Sequence, residues 1–134
     1  MSKIAVLRGL LCHNLTTNME PIVERSQFYD TDPYVVSFLS LSLPSDKNKY
    51  KLIFYWTHQS GYNKVIETDL PPHSGVLNIY SYISPVLIKK IESTNPVGIW
   101  KLKITVNGNE FVDIKFVVER NSLNIKSASL DFYA

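Results

Sequence analysis

Cysteine is nearly missing: Cys12 is the only one in 134 residues, so no disulfide within the chain can staple the fold. Charge is scarce as well. Charged residues make up 19% of the chain, below the roughly 25% of an average globular protein. With 14 basic and 12 acidic residues, the net charge of +2 gives no field that would gather nucleic acid or an anionic membrane. Long apolar runs are absent. Nothing approaches the roughly 20 residues of a membrane span, and the apolar residues 4–7 are cut off by Arg8, too few for the core of a signal peptide. The expected location is therefore the cytoplasm by default, or outside the cell if a native leader precedes this sequence. The five glycines stand singly, so there is no glycine-rich phosphate loop. Neither Gly-x-Ser-x-Gly nor His-Glu-x-x-His occurs. Lacking a nucleophile, base and oxyanion set, the sequence predicts a protein that is not an enzyme and uses no cofactor.

Hydrophobic residues make up 45% of the chain and aromatics 12%, with eight tyrosines, a composition suited to the pleated surface of β-sheets. There is no repeat, low-complexity tract or linker, and the length suits one hydrophobic core. The reading is a single β-sandwich domain over residues 1–134, with 121–134 as an extra strand or a partner-binding tail. Strands are expected over residues 3–13, 34–43, 50–59, 64–70 and 76–83. In the third of these Leu52, Phe54 and Trp56 share one face and Ile53 and Tyr55 the other, so both faces are covered. Residues 64–70 are apolar only at Val65, Ile66 and Leu70, which suits a strand near an edge. Residues 21–25 precede the run Gln27-Phe28-Tyr29-Asp30-Thr31-Asp32-Pro33, whose Asp and Pro residues suit a turn or an edge rather than a central strand. Ser84-Pro85 opens a short helix over residues 84–93, with a hydroxyl N-cap followed by proline at the first helical position.

The clearest signal is a hairpin over residues 98–119. Trp100, Leu102, Ile104 and Val106 alternate with Lys101, Lys103 and Thr105, and beyond Asn107-Gly108 the return strand alternates Val112, Ile114, Phe116 and Val118 with Asp113, Lys115 and Val117. Burying both apolar faces together requires Ile104 opposite Val112 and Leu102 opposite Ile114, and extends to Val106 opposite Glu110 through a three-residue loop. Asn-Gly favours a two-residue turn, which alone would slip the register by one residue. The face pattern is the stronger guide, because a slip exposes large apolar side chains at roughly 1.5–3 kcal/mol each.

The order of elements resembles immunoglobulin-like β-sandwich domains of uncharacterised bacterial proteins over residues 4–119. The residues that carry the resemblance are Pro21, Phe28 with Asp30, Trp56, Gly98 with Trp100, Asn107-Gly108, and Phe116 with Val118. It implies an all-β, antiparallel sandwich of about 7–8 strands with one short helix, closed by the Gly-x-Trp and Phe-x-Val strands. Such domains mostly bind proteins or act as accessory modules, although fold alone does not fix function.

Candidate sites are few. Cys12, His13, His58 and His73 lack the spacing of a zinc motif, and adjacent strand residues such as Cys12 and His13 point to opposite faces. No metal is therefore expected, with Asp30 and Asp32 as weak oxygen-ligand candidates that turn chemistry explains better. Among Tyr55, Trp56, Tyr62, Tyr80 and Tyr82, the phase of the strands assigns most to the core, and Trp100 with them. Tyr62, beside Gly61 and Asn63 in a hairpin tip, is the tyrosine expected to be exposed. Lys89, Lys90, Lys101, Lys103 and Lys115 read as a solvated face, with Glu92, Glu110 and Asp113 close in sequence.

The functional expectation is a protein-interaction or accessory module that uses residues 60–63 or an edge strand. Gly61, Tyr62, Asn63, Phe132 and Tyr133 are its candidate contacts. Alternatives are a small-ligand or carbohydrate binder using exposed tyrosines, and a structural subunit of a self-assembling complex. A protein partner is expected, with a homo-oligomer open and neither nucleic acid nor a membrane span involved.

Overall fold

Alternating side chains give each strand an apolar face, and two sheets bury those faces against one another. The computed structural model describes residues 4–18, 20–44, 49–70 and 75–121. In chain order these form β1 (Ala5–Leu15), β2 (Pro21–Glu24), β3 (Gln27–Tyr29), β4 (Val35–Leu43), β5 (Tyr50–His58), β6 (Asn63–Leu70), β7 (Gly75–Ile83), α1 (Pro85–Ile91), β8 (Gly98–Val106) and β9 (Asn109–Glu119). One sheet has the order β2-β1-β4-β7 and the other β3-β9-β8-β5-β6. All pairings are antiparallel except that of β3 with β9. The architecture is the all-β sandwich with one short helix that the sequence reads. Among the described residues it has nine strands rather than seven or eight, because residues 21–24 form the short strand β2, and residues 27–29, within the run read as turn or edge, form β3.

The core is aromatic. Trp56, Trp100, Phe28, Phe54 and Phe116 are fully buried between the sheets. Trp100 stacks on Phe116 at 5.9 Å and 13°, and Trp56 and Phe28 meet the same ring edge-on at 5.9 and 5.7 Å, arrangements that aromatic quadrupoles favour. The Trp100 indole Nε1 donates to the Pro96 carbonyl at 2.7 Å.

The hairpin resolves the conflict between face pattern and turn. Trp100 lies opposite Phe116, Leu102 opposite Ile114 and Ile104 opposite Val112. Yet the loop has two residues, with Asn107 at φ 49° and Gly108 at φ 86°, the paired positive angles of a type I′ turn. Val106 therefore faces Asn109, not Glu110. A bulge between Ile104 and Thr105 supplies the missing residue, and Phe111 packs against the core there. Asn107 also ties the turn to β5: its N–H donates to the Lys51 carbonyl at 2.9 Å, and its Oδ1 accepts from the Lys51 N–H at 2.8 Å.

Helix α1 starts where the sequence indicates, with the Ser84 hydroxyl accepting from Leu87 N–H at 3.3 Å. It buries Pro85 and Ile88 only; Leu87 and Ile91 are exposed. The helix lies across one end of the sandwich. Lys89 reaches Asp30 at 3.5 Å, and Glu92, just past the helix, receives the Tyr62 hydroxyl.

Candidate interaction surface

The outer face of a sandwich sheet is commonly polar, but that of the four-stranded sheet is not. The ladders set Leu10 beside Phe38 and Phe38 beside Tyr80, then Cys12 beside Val36 and Val36 beside Tyr82. Leu10, Cys12, Val36 and Phe38 form a second buried cluster outside the main core. Arg8 lies over the Phe38 ring at 5.7 Å, a cation–π contact that covers one flank. Tyr34, Tyr80 and Tyr82 border this cluster with 41%, 49% and 50% of their surface exposed. Tyr34 meets Tyr82 edge-on at 5.2 Å. Together with Asn14, Leu15, Thr16 and Val36, the three tyrosines line a cleft of about 280 Å³.

The sequence placed Tyr80 and Tyr82 among candidates mostly assigned to the core, and it did not single out Tyr34. The phase of β7 holds the explanation: Leu77, Ile79, Ser81 and Ile83 turn inward and the tyrosines outward. Trp56 and Trp100 are core, as their phase indicates.

Tyr62 sits differently from the bare hairpin tip expected of it. Its ring packs edge-on against Trp100 at 6.0 Å, and its hydroxyl donates to Glu92 Oε1 at 2.5 Å. Burial, and then the Glu92 carboxylate, push the phenol up to about 12. The hydroxyl in turn holds the Glu92 carboxyl below its usual range, helped by Lys64 at 3.4 Å. Gly61 and Asn63 are exposed, with Gly61 at φ 96° in the turn and Asn63 opening β6 opposite Thr57. Phe132, Tyr133 and the rest of 122–134 lie outside the described residues.

The two aspartates are occupied by the turn itself. Asp30, buried, accepts from the Asn121 N–H at 3.0 Å and pairs with Lys89, while Asp32 accepts from the Tyr29 N–H at 2.8 Å and pairs with Arg25 at 3.5 Å. Among the described residues no three His, Cys, Asp or Glu side chains gather as a metal site would require. Cys12 is fully buried, and burial pushes its thiol up, away from the nucleophilic thiolate. His58 Nε2 donates to the Val97 carbonyl at 2.8 Å and Nδ1 is held by Ser60, so both nitrogens are in use. His13 is half-buried with Nδ1 unpartnered; His73 lies outside the described residues.

On the opposite sheet, Tyr55, Thr57, Lys101, Lys103, Thr105, Asp113 and Lys115 border an open groove of about 560 Å³. Lys101 pairs with Asp113 at 3.9 Å and Lys103 with Glu110 at 3.4 Å. This is the mixed, solvated face expected for these lysines.

No protein-family pattern and no curated protein matches the chain. Solved structures do. An immunoglobulin-like protein from Pseudomonas aeruginosa, 9% identical, aligns with a TM-score of 0.54 over 88% of this chain and 98% of its own length. The alkylpurine DNA glycosylase AlkC of Pseudomonas fluorescens, solved bound to DNA containing an abasic site analog, is 12% identical, with a TM-score of 0.53 over 83% of this chain. The match spans only 30% of AlkC. Likeness at these identities concerns the fold alone, and the fold is an immunoglobulin-like β-sandwich.

Proposed function

We propose that the chain is a non-enzymatic protein-interaction module that presents the outer face of its four-stranded sheet to a protein partner. The observation that carries this reading is the half-exposure of Tyr34, Tyr80 and Tyr82 around a buried apolar cluster. Tyrosine combines large contact area with few rotors, and half-exposed aromatics lose the rest of their hydrated surface when a partner docks. The tip at 60–63 is the weaker candidate, since Tyr62 already spends its ring on Trp100 and its hydroxyl on Glu92. The non-enzymatic part is supported by the sealed Cys12 and the doubly engaged His58. AlkC was solved on DNA, but here Lys101 and Lys103 are offset by Asp113 and Glu110, which argues against a backbone-tracking groove. A pull-down comparing wild type with Tyr80→Ala/Tyr82→Ala is the test: a protein retained by the first and lost by the second is expected. Identical recoveries, or nothing above background, would sink the reading.

A second reading is favoured by the rim of the cleft, where Asn14 and Thr16 stand beside the tyrosines. Amide and hydroxyl groups next to aromatic faces suit a sugar ring. A glycan array with the same variant pair separates the two, since binding to a defined glycan would displace the protein-partner reading.

A further inference from the structure

Cross-strand neighbours on one face of a sheet stabilise it when their charges are opposite and weaken it when they are alike. The outer face of the five-stranded sheet breaks that rule at one row. Lys101 of β8 stands directly opposite Lys115 of β9, and Thr57 of β5 continues the row on the other side of Lys101. All three side chains are exposed and border the open groove of about 560 Å³. Lys103 is matched by Glu110 at 3.4 Å, whereas Lys101 reaches Asp113, its diagonal neighbour, only at 3.9 Å. Lys115 forms no ion pair among the described residues. The row therefore holds a positive charge that nothing offsets. A second group in the same groove is unsatisfied. Thr105 follows the outward phase of Lys101 and Lys103 along β8, yet it is only 7% exposed and its Oγ1 has no hydrogen-bond partner. Facing lysines and an unpaired buried hydroxyl each cost stability, and one ligand with an anionic end and a polar body removes both costs.

We infer that this groove binds a small organic phosphate, with its phosphoryl group on Lys101, Lys115 and Thr57 and its body lying along β8 toward Thr105. A phosphate monoester carries a charge of about −1.5 to −2 at pH 7 and three acceptor oxygens, which suit two ammonium groups and a hydroxyl in one row. The row and Thr105 are four residues apart on β8, about 13 Å at the rise of a strand. Free phosphate spans a fraction of that distance, so a ligand that engages both ends carries a nucleoside or sugar body. Half-buried Tyr55 stands opposite Lys103, between the two ends, and its ring gives a flat or cyclic body a surface to lie on. Asp113 and Glu110 interrupt the positive charge beyond the row, so the groove accommodates one phosphate and not a run of them. The site lies on the other sheet from the tyrosine cluster, and the inference does not depend on the protein-partner reading.

Isothermal titration of the full chain with adenosine monophosphate, uridine monophosphate, glucose 6-phosphate and inorganic phosphate tests it. At least one of the three organic phosphates should bind about tenfold or more tightly than inorganic phosphate, and the one that does identifies the body as nucleoside or sugar. The same compound without its phosphate should bind about tenfold more weakly. Lys115→Gln should remain folded by circular dichroism, because the side chain is exposed, and lose about tenfold in affinity for that ligand, while Lys115→Arg retains it. Thr105→Val, nearly the same shape, should weaken the organic phosphate about three- to tenfold and leave inorganic phosphate unchanged; a merely structural hydroxyl would move neither. Absence of binding by all three organic phosphates at millimolar concentration overturns the inference. So does equal affinity for organic and inorganic phosphate, or for the compound with and without its phosphate. Wild-type affinity in Lys115→Gln or in Thr105→Val overturns it as well.

Discussion

At residue scale, Gly98 carries a constraint that no other residue type can meet. Its φ of 134° disfavours any side chain, and a Cβ there would lie 2.8 Å from the Gln59 side chain and 2.9 Å from His58 Nε2. Gly98→Ala should destabilise the fold by about 1–3 kcal/mol, read as a lower urea midpoint with an unchanged slope. The Tyr62–Glu92 bond makes a separate prediction, in pH. Tyr62 titrates higher in the folded than in the unfolded chain, so its contribution is full below the ordinary tyrosine value of about 10. It is lost as pH rises toward about 12. Glu92 titrates lower when folded, so its contribution is present above the ordinary carboxylate range and lost as pH falls through its depressed value. Tyr62→Phe should cost about 1 kcal/mol near neutrality and flatten both arms of a stability-against-pH curve; arms unchanged in the variant would assign them to other groups. Nothing in the sequence around residues 60–63 discloses this bond, because its acceptor lies 30 residues away at the end of a helix.

At the scale of elements, the hairpin shows how far alternation can be read and where it stops. The burial of Trp100, Leu102 and Ile104 against Phe116, Ile114 and Val112 follows from period-two patterning, since a slipped register would expose them. The bulge does not follow from it. Face pattern and turn chemistry demanded different loop lengths, and both are satisfied only because one strand holds an extra residue, an option that neither signal names. Gly108→Ala should therefore cost about 1 kcal/mol through its positive φ alone, since a Cβ there meets nothing within 4 Å. Thermal unfolding of that variant beside Gly98→Ala measures the difference between strain in open space and strain with collision. The short helix was legible from Ser84-Pro85. Its packing was not, because only Pro85 and Ile88 find an apolar surface at the end of the sandwich.

For the molecule as a whole, the sandwich was legible and the proposed interaction surface only in part. Tyr80 and Tyr82 stood out as aromatics, but their outward direction depends on which face of β7 meets the core. Tyr34 escaped notice because it joins them only through the pairing of β4 with β7. The topology also has a mechanical consequence. β3 runs parallel to β9, with Gln27, Phe28 and Tyr29 opposite Val117, Val118 and Glu119. Tension applied between residues 25 and 121 would drag those strands past each other lengthwise, so their hydrogen bonds resist together. Tension between residues 5 and 42, adjacent ends of an antiparallel pair, would peel β1 from β4 one bond at a time. In an optical trap the first pair of handles should give the higher rupture force. The segment that carries the chain from β2 in one sheet to β3 in the other would then act as a latch against stretching.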